Sequence, residues 1–238
     1  MTDDNLLPIS ETLGLAWDKV KGSKGPMWGL YAIFLVLVIV LGFVGGVIGN
    51  NAVSMVIQLI IMVINLFATL GLAYMGLQRA QGLPIQIGMV KKVFTFSVFF
   101  RFIGLCILQV ILFACFFAVI GALIWLLDGI VGHIISLPFL IAGGLIFLAF
   151  MLRICLALGF LLINEMGPWD SLVASYHATE GNVFRLFGLY ILGFLIMFVS
   201  MIPLGIGLIW SVPLLLICYG EVFKKLVTTR QALTVQSK

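Results

Sequence analysis

Between Met27 and Val47 the chain reads MWGLYAIFLVLVIVLGFVGGV, without one charged side chain. An apolar run of about 18 residues or more is long enough, as a helix, to cross the hydrocarbon core of a bilayer. Comparable runs follow at about 52–77, 102–127, 138–163, 183–202 and 204–223, so the sequence predicts six spans. The chain is 63% hydrophobic and 9% charged, whereas soluble domains use roughly half apolar residues. Its solvent is therefore lipid, and lipid admits only helices or closed barrels because every backbone polar group must be satisfied internally. Runs of this length select helices. The expected fold is an all-α membrane protein, residues 1–238 forming a single polytopic domain.

Between the spans lie three stretches polar enough to stay out of lipid. In the first, Ile9, Leu13, Ala16, Trp17 and Val20 follow helical spacing, with Ser10, Asp18, Lys19 and Lys21 elsewhere on the wheel. Such a helix lies in the interface with its tryptophan at headgroup level, or packs as an ordinary helix on the rest of the protein. The acidic residues Asp3, Asp4, Glu11 and Asp18 are unlike the basic start of a secretory signal. In the second, Arg79 to Arg101, the positions Met89, Val93, Phe96 and Phe100 suit another surface helix. The third runs from Pro168 to Glu180. Its proline suits a first turn, Asp170 favours the positive end of the helix dipole, and Gly181 suits the stop.

The basic residues orient the chain. Six spans put both ends on one side, and 12 of the 13 lysines and arginines fall there: Lys19, Lys21, Lys24, Arg79, Lys91, Lys92, Arg101, Arg185, Lys224, Lys225, Arg230 and Lys238. The three opposite hairpins carry only Asp128. Positive charge is retained on the cytoplasmic side, so the expected topology is N-in and C-in.

A period is also present. Pro8, Pro84 and Pro168 precede the three surface stretches at intervals of 76 and 84. Gly29-Leu30, Gly104-Leu105 and Gly188-Leu189 open the next spans at intervals of 75 and 84, and Gly46, Gly121 and Gly205 stand near their far ends at the same intervals. This spacing predicts three repeats of amphipathic surface helix plus transmembrane hairpin, at 8–80, 84–165 and 168–226. All three share one orientation, unlike the inverted repeats of many transporters.

Chemistry-bearing patterns are few. No HExxH, GxSxG, phosphate loop or dinucleotide fingerprint occurs. His133 and His177 fall on opposite sides of the expected membrane, and the four cysteines sit inside apolar segments without ligand spacing. The sequence thus predicts no catalytic residue, no metal site and no cofactor. The net charge of +4 resides at helix ends rather than in one stripe, which argues against a nucleic-acid partner.

What remains is polar residues inside spans. Ser54, Gln58, Asn65 and Thr69 share one face of the second span, and Gln109 lies within the third. Such side chains act as glue between helices or line a cavity. Arg153 lies about ten residues from the cytoplasmic end of the fourth span, where a charge is expensive to bury. It either snorkels to lipid phosphate at the interface or faces a cavity and binds an anionic ligand. The candidate ligand or lipid contacts are therefore Arg153, Asn65, Gln109 and Gln58, and the interfacial residues Trp17, Lys91, Lys92 and Trp169.

From Arg153 onward the chain shows an intramembrane arginine, an acidic exit at Glu165, and then Gly167-Pro168-Trp169-Asp170-Ser171-Leu172, ending at Ser175. Gly181-Asn182 follow at the next entry, Pro203-Leu204-Gly205 at the hairpin, and Tyr219-Gly220 near the end. This resembles the bacterial six-span family that includes YciC-like proteins and the membrane domain of glycerophosphodiester phosphodiesterases, over Arg153 to about Lys225. The resemblance implies a bacterial inner-membrane protein, sometimes fused to a lipid-degrading domain that this chain lacks. The expected role is non-enzymatic, engaging or organising phospholipid or supporting a membrane-protein partner. The alternative is a small transporter or channel for an anionic or lipid-like substrate.

Overall fold

The computed structural model describes residues 7–131, 136–203 and 205–236, and every regular element among them is helical. His133, the expected start of the sixth span at Leu204, and Lys238 lie outside the described residues. Nine α-helices are described: α1 (Ile9–Val20), α2 (Lys24–Ile48), α3 (Asn51–Ala80), α4 (Phe96–Val131), α5 (Ser136–Ile154), α6 (Ala157–Ile163), α7 (Pro168–Ala178), α8 (Val183–Met201) and α9 (Leu208–Gln236), with a 3-10 helix at Ile87–Lys92. Five stretches are long and apolar enough to cross a membrane: Lys24–Ile48, Asn51–Ala80, Phe96–Leu126, Pro138–Ile163 and Val183–Met201. Their faces are largely exposed side chains such as Ile39, Phe43, Val47, Met55 and Phe194, as lipid-facing helices require. The expected sixth span falls largely on α9. Its apolar part is cut short by Glu221 and then Lys224-Lys225, and Pro213 sits inside it.

Two expected boundaries move. Residues 89–100 do not form a separate surface α-helix: the 3-10 helix ends at Lys92, and Phe96 and Phe100 belong to α4. At 1.5 Å per residue the 36 residues of α4 extend about 54 Å, well beyond a hydrocarbon core of about 30 Å. The surface segment and the span have fused. At the other end α4 runs to Val131 and α5 begins at Ser136, so the turn expected at Asp128–Leu137 starts later. The helix continues through both Asp128 and Gly129, so neither a single charge nor a single glycine ends it.

The chain divides into two compact units, Met1–Phe99 with Gly188–Lys238, and Phe100–Phe187. In the first, α2 and α3 form a hairpin. Gly49 takes the left-handed conformation, φ 63°, and Asn50 Oδ1 accepts from the amides of Ala52 and Val53 at 2.9 and 3.3 Å, starting α3. Helices α3 and α9 approach at small residues. A Cβ on Gly76 would collide with the Leu216 carbonyl, and one on Gly220 would lie 2.6 Å from Ala80 Cβ. The core here is Met27, Leu70, Met75, Leu77 and Ile217.

Helix α1 docks on α9 and α3 through Ala16 and Val20, with Trp17 on its outer face. Its last turn is fastened by charge. Lys19 Nζ pairs with the buried Glu221 carboxylate and donates to the Ala80 carbonyl at 2.7 Å. Arg79 donates to the carbonyls of Lys19 and Lys21 at 2.9 and 2.8 Å. A cation at the carbonyl end of α3 also complements that helix's dipole.

In the second unit, Phe113, Phe116 and Phe117 of α4 meet Phe147 of α5, with ring centroids 4.8–5.4 Å apart. Gly143 lets α5 approach Ile120. Arg101 at the start of α4 donates to the Glu165 carbonyl at 2.7 Å, holding the loop that leads into α7. Glu165 itself has φ 53°, a left-handed turn that ends α6.

Candidate functional site

The fourth apolar run is not one continuous helix. Helix α5 ends at Ile154, one residue after Arg153, and α6 begins at Ala157, with no proline or glycine at the interruption. A helix kinked without those residues needs a side chain or water inserted in its hydrogen-bond ladder. That side chain is Ser175 of α7. Its Oγ donates to the Arg153 carbonyl at 2.8 Å and accepts from the Leu156 amide at 3.0 Å, so one hydroxyl bridges the freed acceptor and donor. Thr179 Oγ1 lies 3.2 Å from the same carbonyl. An unsatisfied amide inside a membrane protein costs several kcal/mol (about 2–7). The Ser175 hydroxyl answers that cost, while the single Thr179 proton is shared between the Arg153 carbonyl and the nearer Ser175 carbonyl at 3.0 Å.

Ser171, Ser175 and Thr179 recur at every fourth position, so they share one face of α7, and all three are fully buried. The face that α7 presents to its own unit thus carries this hydroxyl line beside the apolar Leu172 and Ala178. Ser171 Oγ has no hydrogen-bond partner among the described residues. Ser171 and Ser175 stand out in the sequence as part of the Gly-Pro-Trp motif, but apolar periodicity does not mark their four-residue spacing on to Thr179. Small hydroxyl residues four apart, a known mark of close helix packing in membranes, were the available signal.

The interruption fixes the position of Arg153. Its guanidinium carbon lies 4.4 Å from the centroid of the Tyr176 ring, a cation–π contact made from the same helix that supplies Ser175. Among the described residues the guanidinium meets no carboxylate within ion-pair distance. The arginine forms part of the wall of a groove of about 700 Å³. The remaining wall is apolar: Leu145, Leu148, Ala149 and Leu152 of α5, and Val183, Phe184 and Phe187 of α8, with Gly181 at one end. Phe184 is 91% exposed. A volume of this size lies in the usual range for small-ligand pockets. Because Val183 and Phe184 form the first turn of α8, the positive end of that helix's dipole also stands at the groove.

The other candidates are not gathered here. Gln109 is half-buried on α4 and does not line the groove, while Gln58 and Asn65 belong to the other unit. Both are exposed on α3. Asn65 donates to the Ile61 carbonyl at 3.0 Å, and Thr69 to the Asn65 carbonyl at 2.9 Å, so these side chains bond to their own helix. That local back-bonding relieves part of their cost in an apolar setting. Trp17 and Trp169 are 55% and 60% exposed, and Lys91 and Lys92 are exposed at the end of the 3-10 helix. Among the described residues no three histidine, cysteine, aspartate or glutamate side chains come together as metal ligands would. Comparison with known proteins adds no assignment: no protein-family model, curated protein or solved structure matches this chain.

Proposed function

We propose that this chain is a non-enzymatic membrane protein of the bacterial inner membrane that engages or organises phospholipid, with both termini in the cytoplasm. The observation that carries the reading is Arg153: a cation on the wall of a groove whose other side chains are all apolar. Apolar length with one positive charge is the complement of a lipid with an acidic headgroup. A reaction centre, by contrast, needs converging titratable groups. The exposed Trp17, Trp169, Lys91 and Lys92 support the same reading, since aromatic and basic side chains favour the interface and the anionic leaflet. A transport path lined by Gln58, Asn65, Gln109 and Arg153 is less well supported, because Asn65 spends its side chain on its own helix and Gln109 does not line the groove.

The threefold build belongs to this proposal and has one line of geometric support. A Cβ on Gly29 would lie 3.1 Å from Ile87 Cδ1, one on Gly104 would lie 3.0 Å from Pro168 Cγ, and one on Gly188 would lie 3.3 Å from Ile9 Cδ1. Each span-opening glycine thus seats the start of the surface segment belonging to the next repeat, and the third seats that of the first. The other landmark set behaves differently. Gly46 and Gly121 have nothing near them, and Gly205, φ 78°, is a turn residue.

Native mass spectrometry of the protein extracted gently from its own membrane tests the function. Retention of phospholipid at a defined stoichiometry is expected. A stoichiometric protein partner without any bound lipid would replace lipid engagement with a scaffold role.

A further inference from the structure

Three features converge on the groove beside α5. The Arg153 guanidinium has one face covered by the Tyr176 ring, 4.4 Å away, and meets no carboxylate within ion-pair distance among the described residues. The first turn of α8, at Val183 and Phe184, brings the positive end of a 19-residue helix to the same wall. Away from these, the lining of Leu145, Leu148, Ala149 and Phe187 offers only hydrocarbon contact. From this arrangement we infer that the groove is a binding site for one phospholipid with a net negative headgroup, its phosphate held between Arg153 and the start of α8 and one acyl chain lying along α5.

The inference rests on the lipid-engaging reading above and deepens it by naming the site and the ligand's charge class. Each part has a physical reason. A guanidinium stacked on a ring keeps its N–H edges available, and those edges match phosphate oxygens. A cation in an apolar wall is costly when alone, so an anion brought to it gains more than it would in water. Zwitterionic headgroups carry their own ammonium beside the phosphate and cancel much of that gain. Selection by headgroup charge follows.

Ser175 is a positioning residue in this scheme. It touches no ligand, but its bridge across the helix interruption fixes the backbone of Arg153, while the neighbouring Tyr176 holds the side chain.

The test uses the full-length protein in nanodiscs of phosphatidylcholine doped with either phosphatidylglycerol or phosphatidate, with bound lipid read by native mass spectrometry after release into detergent. Wild type is expected to enrich the anionic lipid over phosphatidylcholine about tenfold, the scale of one charge-assisted contact. Arg153→Gln should lose that enrichment and Arg153→Lys should keep part of it. Leu148→Trp, which fills the groove with the arginine intact, should displace the lipid altogether. Inorganic phosphate in large excess should not compete, because it lacks the chain; competition would make this a small-anion site and overturn the lipid assignment. Arg153→Gln and Arg153→Lys are compared only if both unfold thermally as wild type does, and Leu148→Trp alone decides if they do not. Retained lipid with no charge preference, or enrichment unchanged in Arg153→Gln or Leu148→Trp, would overturn this site while leaving lipid engagement elsewhere standing. Wild type retaining no phospholipid at all, from nanodisc or from its native membrane, would remove both.

Discussion

Replacing Ser175 with alanine removes a single oxygen atom at a fully buried position, and the structure says what is lost. The Leu156 amide loses its acceptor at 3.0 Å, and Leu156 is itself fully buried, so no water replaces it. The Arg153 carbonyl loses a donor at 2.8 Å but keeps Thr179 Oγ1 at 3.2 Å. One orphaned donor and one partly compensated acceptor correspond to about 2–3 kcal/mol, at the upper end of the cost of leaving one buried group unpaired. The same sharing predicts non-additivity. Thr179→Val alone should cost about 1 kcal/mol, since Ser175 still serves the carbonyl. The double variant should exceed the sum of the two by about 1 kcal/mol. Reversible unfolding in mixed micelles measures all three, and hydrogen exchange at the Leu156 amide reports the local event. If Ser175→Ala changes stability by less than about 0.5 kcal/mol while Leu156 stays protected, the helix has healed across 154–157 and the bridge is not what interrupts it.

Other outcomes are equally specific. Gly76→Ala should destabilise by about 3 kcal/mol or prevent folding, because its Cβ meets the Leu216 backbone and not a movable side chain, whereas Gly46→Ala, with nothing within 4 Å, should be neutral or slightly stabilising in thermal unfolding. Glu221→Gln should cost about 2 kcal/mol, since it leaves Lys19, 25% exposed, beside a neutral partner, and the loss should persist in high salt. Lys225→Ala, which breaks the exposed pair with Glu11, should change the melting free energy by no more than about 0.5 kcal/mol. For topology, a cysteine placed at Asn50 in a cysteine-free background should react with impermeant maleimide from the periplasm and one at Lys91 only from the cytoplasm; the reverse pattern would invert the proposed orientation.

Much of the helical layout is legible in the sequence because lipid imposes a simple rule on composition. The runs at 27–47 and 52–77 became α2 and α3 with their ends displaced by no more than three residues. Pro168 and the residues after it announced α7. The interruption after Arg153 was not legible, since no proline or glycine falls at 154–157. Its cause sits about twenty residues downstream, in the Ser175 hydroxyl, which only the fold brings to Arg153 and Leu156. The Lys19–Glu221 pair was hidden for a related reason: 202 positions separate the two residues, and only the fold brings them together. Of the polar residues singled out, Arg153 proved informative because it lines the groove, while Asn65 attends to its own helix.

The compact unit that holds α1 is assembled from both ends of the chain, and this sets a timetable for biosynthesis. Lys19 and Glu221 are separated by 202 positions, and translation at about 5–20 residues per second places them about 10–40 seconds apart. Throughout that interval α1 has no α9 to dock on, and the Ala16 and Val20 face that the finished fold buries stays open. Residues 100–187 form a contiguous unit and meet no such delay. The second unit can therefore mature while the first is still half made, and the last helix to emerge is the one that completes the first.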